Sequence, residues 1–159
     1  VPAPAPEPRL RAFLEPEIRA GPVDVLDLET RSGITSRGEG SFSSGSATVN
    51  DGVLPLLAHI GEALNSVDGS VLITGHTDSQ AIRSARFPSN WHLSQARAQS
   101  VQAVLAQTVS PARLESEGRS DTEPVAGNAT PADRARNRRV EITAFVTGSA
   151  RAAHTPPLP

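Results

Sequence analysis

The sequence contains no cysteine and no lysine, few aromatic residues and no long hydrophobic run. The absence of cysteine excludes disulfides and cysteine-based metal centres, and is compatible with either a cytoplasmic or a periplasmic location. Aromatic residues make up only 3% of the 159 residues, so the core must be aliphatic and modest in size. No apolar stretch approaches the roughly 20 residues that a membrane span requires. We expect one domain with terminal tails, and any export signal or membrane anchor outside this sequence.

The charge of the chain is nearly balanced and gives no whole-molecule attraction to polyanions. All 15 basic residues are arginine, and 17 acidic residues bring the net charge to −2. A short basic stretch, Arg134 to Arg139, is the candidate for nucleic-acid contact, but stacking aromatics are absent beside it. We therefore expect neither nucleic acid nor an anionic membrane surface as a partner.

Hydrophobic periodicity divides the chain into three parts. Residues 1–22 form a Pro-rich linker with a short helix over 9–19, residues 23–147 one folded domain, and residues 148–159 a disordered tail. Within the domain the pattern predicts two long helices over 50–66 and 90–108, a short one from 131, a turn at 31–33, and strands over 23–30, 34–38, 70–75, 113–118 and 138–147. This order is typical of an α/β sandwich with helices packed on one face of a mixed sheet.

Arg97 occupies the apolar stripe of the helix predicted over 90–108, among Leu93, Val101, Val104 and Leu105. A guanidinium keeps its proton, so an inward-facing arginine needs an anionic or strong acceptor partner. The alternative is a side chain whose stem packs while its head reaches solvent. Asp78 favours the functional interpretation, because it follows a short apolar strand, where α/β sheets commonly bind ligands. Asp78 could instead cap a turn through its own backbone.

An enzymatic interpretation would start from His76, Asp78 and His92, which could together ligate a metal. The sequence has neither an H-E-x-x-H motif nor a G-x-S-x-G motif, and it offers no cysteine. We expect no catalysis, no cofactor and no metal.

Three motifs occur in order along the chain: GHTD at 75–78, NWHLSQARA at 90–98 and NRRVE at 137–141. Phe42 and Gly45, and the segment PVAGNAT at 124–130, agree with further parts of the same pattern. Together they resemble the OmpA-like peptidoglycan-binding domain, shared with Pal and MotB, over residues 23–147. The resemblance implies a βαβαβ core with a mixed sheet. The loop over 82–91 and the lead-in over 9–18 most resemble the periplasmic extension of the type VI secretion component TssL.

The resemblance also implies a ligand, the diaminopimelate of the peptidoglycan stem peptide, which carries an ammonium and a carboxylate on one carbon. Asp78 would bind the ammonium and Arg97 the carboxylate. Asn90, the predicted N-cap, and Leu93 would line the first turn of the helix, whose free N–H groups face the carboxylate.

Thr77 and Arg138 complete the predicted site. Arg138 and Arg139 alternate across a strand, so one can face the site while the other faces solvent or pairs with Glu141. We assign Arg138 to the site from the family pattern. Thr77 and the nearby Asn137 have an alternative role, which is to hold loops in place.

Three other positions bear on the site. Trp91 could stack on a sugar, but its place in the first helical turn favours packing under the preceding loop. Asp133 and Ala81 depart from the family pattern, which has glycine and proline there, and both can shift loop geometry.

We thus expect a periplasmic domain of a Gram-negative inner-membrane protein that anchors an envelope complex, a type VI secretion system, to the cell wall. Its partners would be peptidoglycan and other components of that complex. A few charged hydrogen bonds imply weak binding per domain, which clustering would strengthen. The alternative is a structural module for assembly or dimerisation with weak or lost wall binding; a homodimer is compatible with both.

Overall fold

The computed structural model describes residues 9–20, 23–28, 31–37, 42, 46–67, 69–78, 87, 89–123 and 127–145. Five strands form one sheet: β1 (Val23–Asp27), β2 (Arg31–Arg37), β3 (Val71–His76), β4 (Leu114–Gly118) and β5 (Arg139–Phe145). Their order is β1-β2-β5-β3-β4, with β3 and β4 parallel and the other neighbours antiparallel. The predicted mixed sheet is confirmed. The predicted tail over 148–159 lies outside the described residues.

The helices are α1 (Arg9–Phe13), α2 (Glu15–Ala20), α3 (Leu54–Leu64), α4 (Asn90–Leu105) and α5 (Pro131–Asn137). Helix α4 packs on β3 and β4, α3 packs on α4, and α1 and α2 contact β1. Within the described ranges, no helix combines the length and apolar character needed to cross a membrane.

The core lies between the helices and one face of the sheet. Alternate strand residues point into it, including Ile34, Ile73 and Ile142, all fully buried. Leu10 and Leu14 of the N-terminal helical segment are also fully buried in the same core. Each such side chain contributes roughly 1.5–3 kcal/mol on burial, so residues 9–20 pack as part of the folded unit.

One local prediction near the N-terminus is wrong, and another is refined. Residues 31–33 form the start of β2 and not a turn, because Ser32 and Ser36 are buried on either side of Ile34 and continue the alternation. The helix predicted over 9–19 is two helices with a turn at Leu14. Pro16 lies in the first turn of α2, where its missing N–H group breaks no helical hydrogen bond.

The predicted N-cap of α4 is corrected by one residue. Ser89, and not Asn90, is the N-cap of α4, and its side chain accepts a hydrogen bond from the His92 backbone N–H. Asn50 precedes a short 3₁₀ turn that leads into α3, but its side chain makes no capping hydrogen bond. Thr130 is the N-cap of α5, since its side chain accepts a hydrogen bond from the Asp133 backbone N–H.

Candidate ligand-binding site

The C-terminal end of β3 and the N-terminal half of α4 are in direct backbone contact. A Cβ atom at Gly75 would lie less than 3.0 Å from the Ser94 carbonyl oxygen, which real structures do not tolerate. A Cβ at Gly118 on β4 would meet Ser94 and Gln95 just as closely. Glycine at both positions therefore lets α4 rest on the two strands, and this places the start of α4 beside the residues that follow β3.

Asp78 follows β3 and is buried, with 6% of its surface exposed. Its Oδ2 accepts a hydrogen bond of 2.6 Å from Arg138 Nη1, in an ion pair whose arginine is 30% exposed. The Asp78 backbone oxygen accepts from the side chains of Thr77 and Asn90, at 3.1 and 3.4 Å. The carboxylate is thus held by a cation at the rim of the fold.

Arg97 points inward, so the alternative in which its head reaches solvent is wrong. Its side chain is buried, its Nε donates to the Ser46 carbonyl at 2.8 Å, and its guanidinium lies 5.0 Å from the centre of the Phe42 ring. Burial lowers the pKa of Arg97 to about 10; the positive charge of Arg138 acts in the same direction and Asp78 opposes it. Arg97 therefore stays charged at neutral pH, within electrostatic range of both.

The site contains an excess of positive charge. Arg138 is paired with the Asp78 carboxylate, and Arg97 is close enough to interact electrostatically with both of them. Such a cluster contains groups of both signs, guanidiniums that can bind a carboxylate and a carboxylate that can bind a cation. These are the two functions that a ligand with both charges requires.

Asn90 and Leu93 both lie in the first turns of α4 but make different contacts. Asn90 reaches back to the Asp78 carbonyl and so ties the helix start to the site. Leu93 is 5% exposed and packs with Ala47 and Phe87 in a small second apolar cluster. Leu93 therefore fastens the neighbouring segments to α4 beneath the site.

Thr77 and Asn137 form hydrogen bonds that hold the loops beside the site. The Thr77 backbone N–H donates to the Ser120 carbonyl at 2.8 Å. Asn137 is fully buried and donates from its Nδ2 to Asn128 Oδ1 at 3.0 Å. These bonds fix the segments after β3 and before β5, from which Asp78 and Arg138 project.

A second charged cluster joins β3 and β5 next to the site. Arg139 donates from Nε to Glu141 Oε2 at 2.7 Å, and from Nη2 to the Glu123 carbonyl at 2.9 Å. The His76 ring is buried with its Nε2 3.3 Å from Glu141 Oε1, without the alignment of a hydrogen bond. The contacts with His76 and Arg139 lower the pKa of Glu141 to about 2, against the opposing effect of burial. Arg138 thus faces Asp78, and Arg139 is the arginine that pairs with Glu141.

The metal alternative finds no geometric support in the described part of the chain. There, no three histidine or acidic side chains group closely enough to hold an ion. His92 Nδ1 lies 2.7 Å from Ser89 Oγ, whereas His76 contacts Glu141. Trp91 is 51% exposed, and most of the loop that precedes it lies outside the described residues.

The segment over 46–47 is the part of the site that sequence reasoning missed. The Ser46 carbonyl accepts from Arg97 and the Ala47 carbonyl accepts from Ser100. A backbone carbonyl gives no signal in the residue type, and the motif positions nearby, Phe42 and Gly45, do not include residues 46 and 47.

Comparison with known proteins agrees with the motifs. The chain matches the OmpA family over residues 41–138. A solved structure described as the cell wall anchor of the T6SS from Pseudomonas aeruginosa is 54% identical, with a TM-score of 0.84, over 87% of this chain and 98% of that chain. A MotB-like protein from Desulfovibrio vulgaris is 25% identical, with a TM-score of 0.79, over 86% of this chain and 89% of that chain.

A curated relative, motility protein B of Bacillus subtilis, is 35% identical over 112 residues, which are 69% of this chain and 43% of that protein. The chain thus spans less than half the length of the first curated relatives that it matches. The family match, the fold and the ordered motifs together confirm the predicted resemblance, and this chain belongs to the OmpA family.

Proposed function

We propose that this domain binds peptidoglycan without covalent chemistry, through the diaminopimelate of the stem peptide. The observation that carries the proposal is the buried Asp78 carboxylate, which is paired with Arg138 and lies within electrostatic range of the buried Arg97. It occurs in a member of the OmpA family whose 54%-identical relative is described as a cell wall anchor.

The chemistry of the ligand fits this charge arrangement. Diaminopimelate presents an ammonium and a carboxylate on one carbon, so a receptor needs an anion and a planar cation close together. Arg138 already pairs with the Asp78 carboxylate, so an incoming ammonium must compete with that guanidinium for Asp78. The ligand carboxylate then bridges to Arg97, with Asn90 at the start of α4 beside it.

This exchange keeps the affinity of one domain low. Each charged hydrogen bond is worth about 1.5–3 kcal/mol, but the ligand must replace an existing ion pair and lose its freedom of motion. A net binding energy of about 5–7 kcal/mol corresponds to a dissociation constant in the range of roughly 10–200 μM. Because the cell wall repeats its ligand, several domains in one complex would together hold it firmly.

The location and partners follow from the same proposal. The domain would lie in the periplasm and anchor an inner-membrane complex, a type VI secretion system, to the wall. The support for this assignment is the similarity to the Pseudomonas aeruginosa anchor over nearly the whole of that chain. We propose no catalytic role, since the site offers two arginines and a paired carboxylate for binding.

Co-sedimentation with purified sacculi tests the proposal. Wild type should pellet with the sacculi, and Asp78→Ala and Arg97→Ala should remain in the supernatant while circular dichroism shows that they are folded. Matched controls are Asp51→Ala and Arg19→Ala, which remove the same charges from exposed positions. If folded wild type stays in the supernatant at low salt, the proposal is wrong, and the assembly or dimerisation module takes its place.

A further inference from the structure

The solvent-facing side of α4 carries a groove that the proposed stem-peptide site does not use. A hollow of about 460 Å³ is lined mainly by polar and aromatic residues: Phe87, Trp91, His92, Gln95, Ala96, Gln99 and Gly118. A second hollow of about 560 Å³ shares Phe87, Ala96 and Gln99 with it and continues to Val104. At about 1.5 Å per residue, the span from Trp91 to Val104 makes this α4 groove roughly 20 Å long.

The side chains of the first hollow suit a neutral ligand with many hydroxyl groups. Trp91 is 51% exposed, which is unusual for so large an apolar ring. Among the described residues that line this hollow there is no Asp, Glu or Arg, so this part of the lining offers a charged ligand neither a carboxylate nor a guanidinium. Flat aromatic rings beside planar amides match the apolar faces and the hydroxyl edges of a sugar.

Two of the polar groups are held in place. Gln95 Oε1 accepts from the Gly118 backbone N–H at 2.8 Å, which fixes the amide against β4. His92 Nδ1 lies 2.7 Å from Ser89 Oγ, and this contact engages only one nitrogen of an exposed ring. Groups that are already ordered lose little entropy when a ligand binds.

We propose that the α4 groove binds the glycan strand of peptidoglycan, with one sugar stacked on Trp91. This inference rests on the proposed function and extends it from the peptide to the polymer. The muramic acid carboxyl is consumed by its amide link to the stem peptide, so the strand is neutral at the point of attachment. Asn90 is adjacent to Trp91 in sequence and contacts Asp78. A stem peptide bound at Asp78 therefore leaves its own sugar only a few peptide residues from Trp91, and each residue spans at most about 3.6 Å.

The chain provides its own reporter for this contact, because Trp91 is the single tryptophan and there is no tyrosine. We would titrate the whole chain with glycan fragments stripped of peptide, and separately with free stem peptide, while tryptophan fluorescence is recorded. Peptide-free glycan should give a saturable blue shift, in wild type and equally in Asp78→Ala. By calorimetry, Gln99→Ala should bind glycan about 3–10-fold more weakly. Trp91→Ala should lose measurable binding, and Gln107→Ala, exposed beyond the end of α4, should bind as wild type.

The outcomes separate the two proposals. If glycan leaves the fluorescence unchanged while stem peptide still binds in calorimetry, the groove proposal is overturned and the peptide site stands. If glycan binds but stem peptide does not, the peptide site fails and the groove stands alone. Equal glycan affinity of Gln99→Ala and wild type would also contradict the placement in the α4 groove.

Discussion

Gly75→Ala is the substitution that most directly tests how the fold builds the site. The new methyl group would lie less than 3.0 Å from the Ser94 carbonyl oxygen and 3.1 Å from its carbonyl carbon, where ordinary contacts begin near 3.4 Å. Both atoms belong to the backbone of α4, so no side-chain rotation can relieve the clash. The helix must therefore shift by roughly 1 Å or the strand must bend, and such overpacking costs about 1–3 kcal/mol.

The same shift should weaken ligand binding. Arg97 lies one turn along α4 from Ser94, whereas Asp78 follows β3, so displacement of the helix changes the distance between the two charges. Binding sites need their groups within about 0.5 Å of the productive arrangement. We therefore expect Gly75→Ala to lose at least about 10-fold in affinity for stem peptide, beyond its loss of stability.

Urea denaturation and calorimetry with stem peptide measure both effects. With a slope of about 2 kcal/mol/M, a loss of about 3 kcal/mol lowers the midpoint by roughly 1.5 M. The control is Gly33→Ala on β2, where a Cβ would meet nothing within 4 Å. Because alanine loses less conformational freedom than glycine on folding, this control should be as stable as wild type or slightly more so. If Gly75→Ala matches Gly33→Ala in both measurements, the reasoning about helix contact is refuted.

Three further substitutions have defined outcomes. Arg138→Gln should lower the free energy of unfolding by about 1–2 kcal/mol in thermal melts, because it removes an ion pair to the buried Asp78 carboxylate. The control Arg119→Gln removes an exposed ion pair and should change the free energy of unfolding by less than about 0.5 kcal/mol. The pKa of Glu141 is about 2 in the fold against an ordinary 4.5, so its charge stabilises the protein above about pH 4.5 and this contribution is lost as the pH falls toward 2. When the free energy of unfolding is measured from pH 4.5 down to pH 2, Glu141→Gln should therefore lose less stability than wild type. We expect a difference of about 1–2 kcal/mol, after allowance for the partial exposure of Glu141. Parallel curves of stability against pH for the two proteins would contradict this. Thr130→Ala should cost about 1 kcal/mol through the lost cap of α5, and Thr130→Ser should restore most of it in urea titrations.

Much of the fold could be predicted because several elements have an unambiguous hydrophobic period. The apolar stripe of α4 and the alternation in β5 predict both elements, with ends within a few residues of the observed ones. The start of β2 could not be predicted in this way, because arginine, serine and glycine in succession are typical of turns. Only the sheet shows that the serines of β2 are buried beside Ile34.

The charged residues of the site could be predicted from the sequence, but not which groups they bond to. Arg97 was identified because a charged residue in an apolar stripe requires a partner, and its inward orientation is confirmed. Its acceptor, the Ser46 carbonyl, is 51 residues away in a segment without periodicity. The bond between Asp78 and Arg138 joins positions 60 residues apart, and residue type alone does not say which arginine reaches the carboxylate. The predicted N-cap of α4 is one residue away from the observed Ser89, because serine and asparagine cap equally well.

Calorimetric titration with two stem peptides that differ only at the third residue tests the central claim most directly. Diaminopimelate and lysine share the side-chain ammonium, but only diaminopimelate carries the carboxylate beside it. The account predicts measurable binding of the diaminopimelate peptide, and binding of the lysine peptide at least about 10-fold weaker, since it forgoes a charged hydrogen bond to Arg97. Equal affinity for the two peptides would contradict the claim that Asp78 and Arg97 recognise the paired charges.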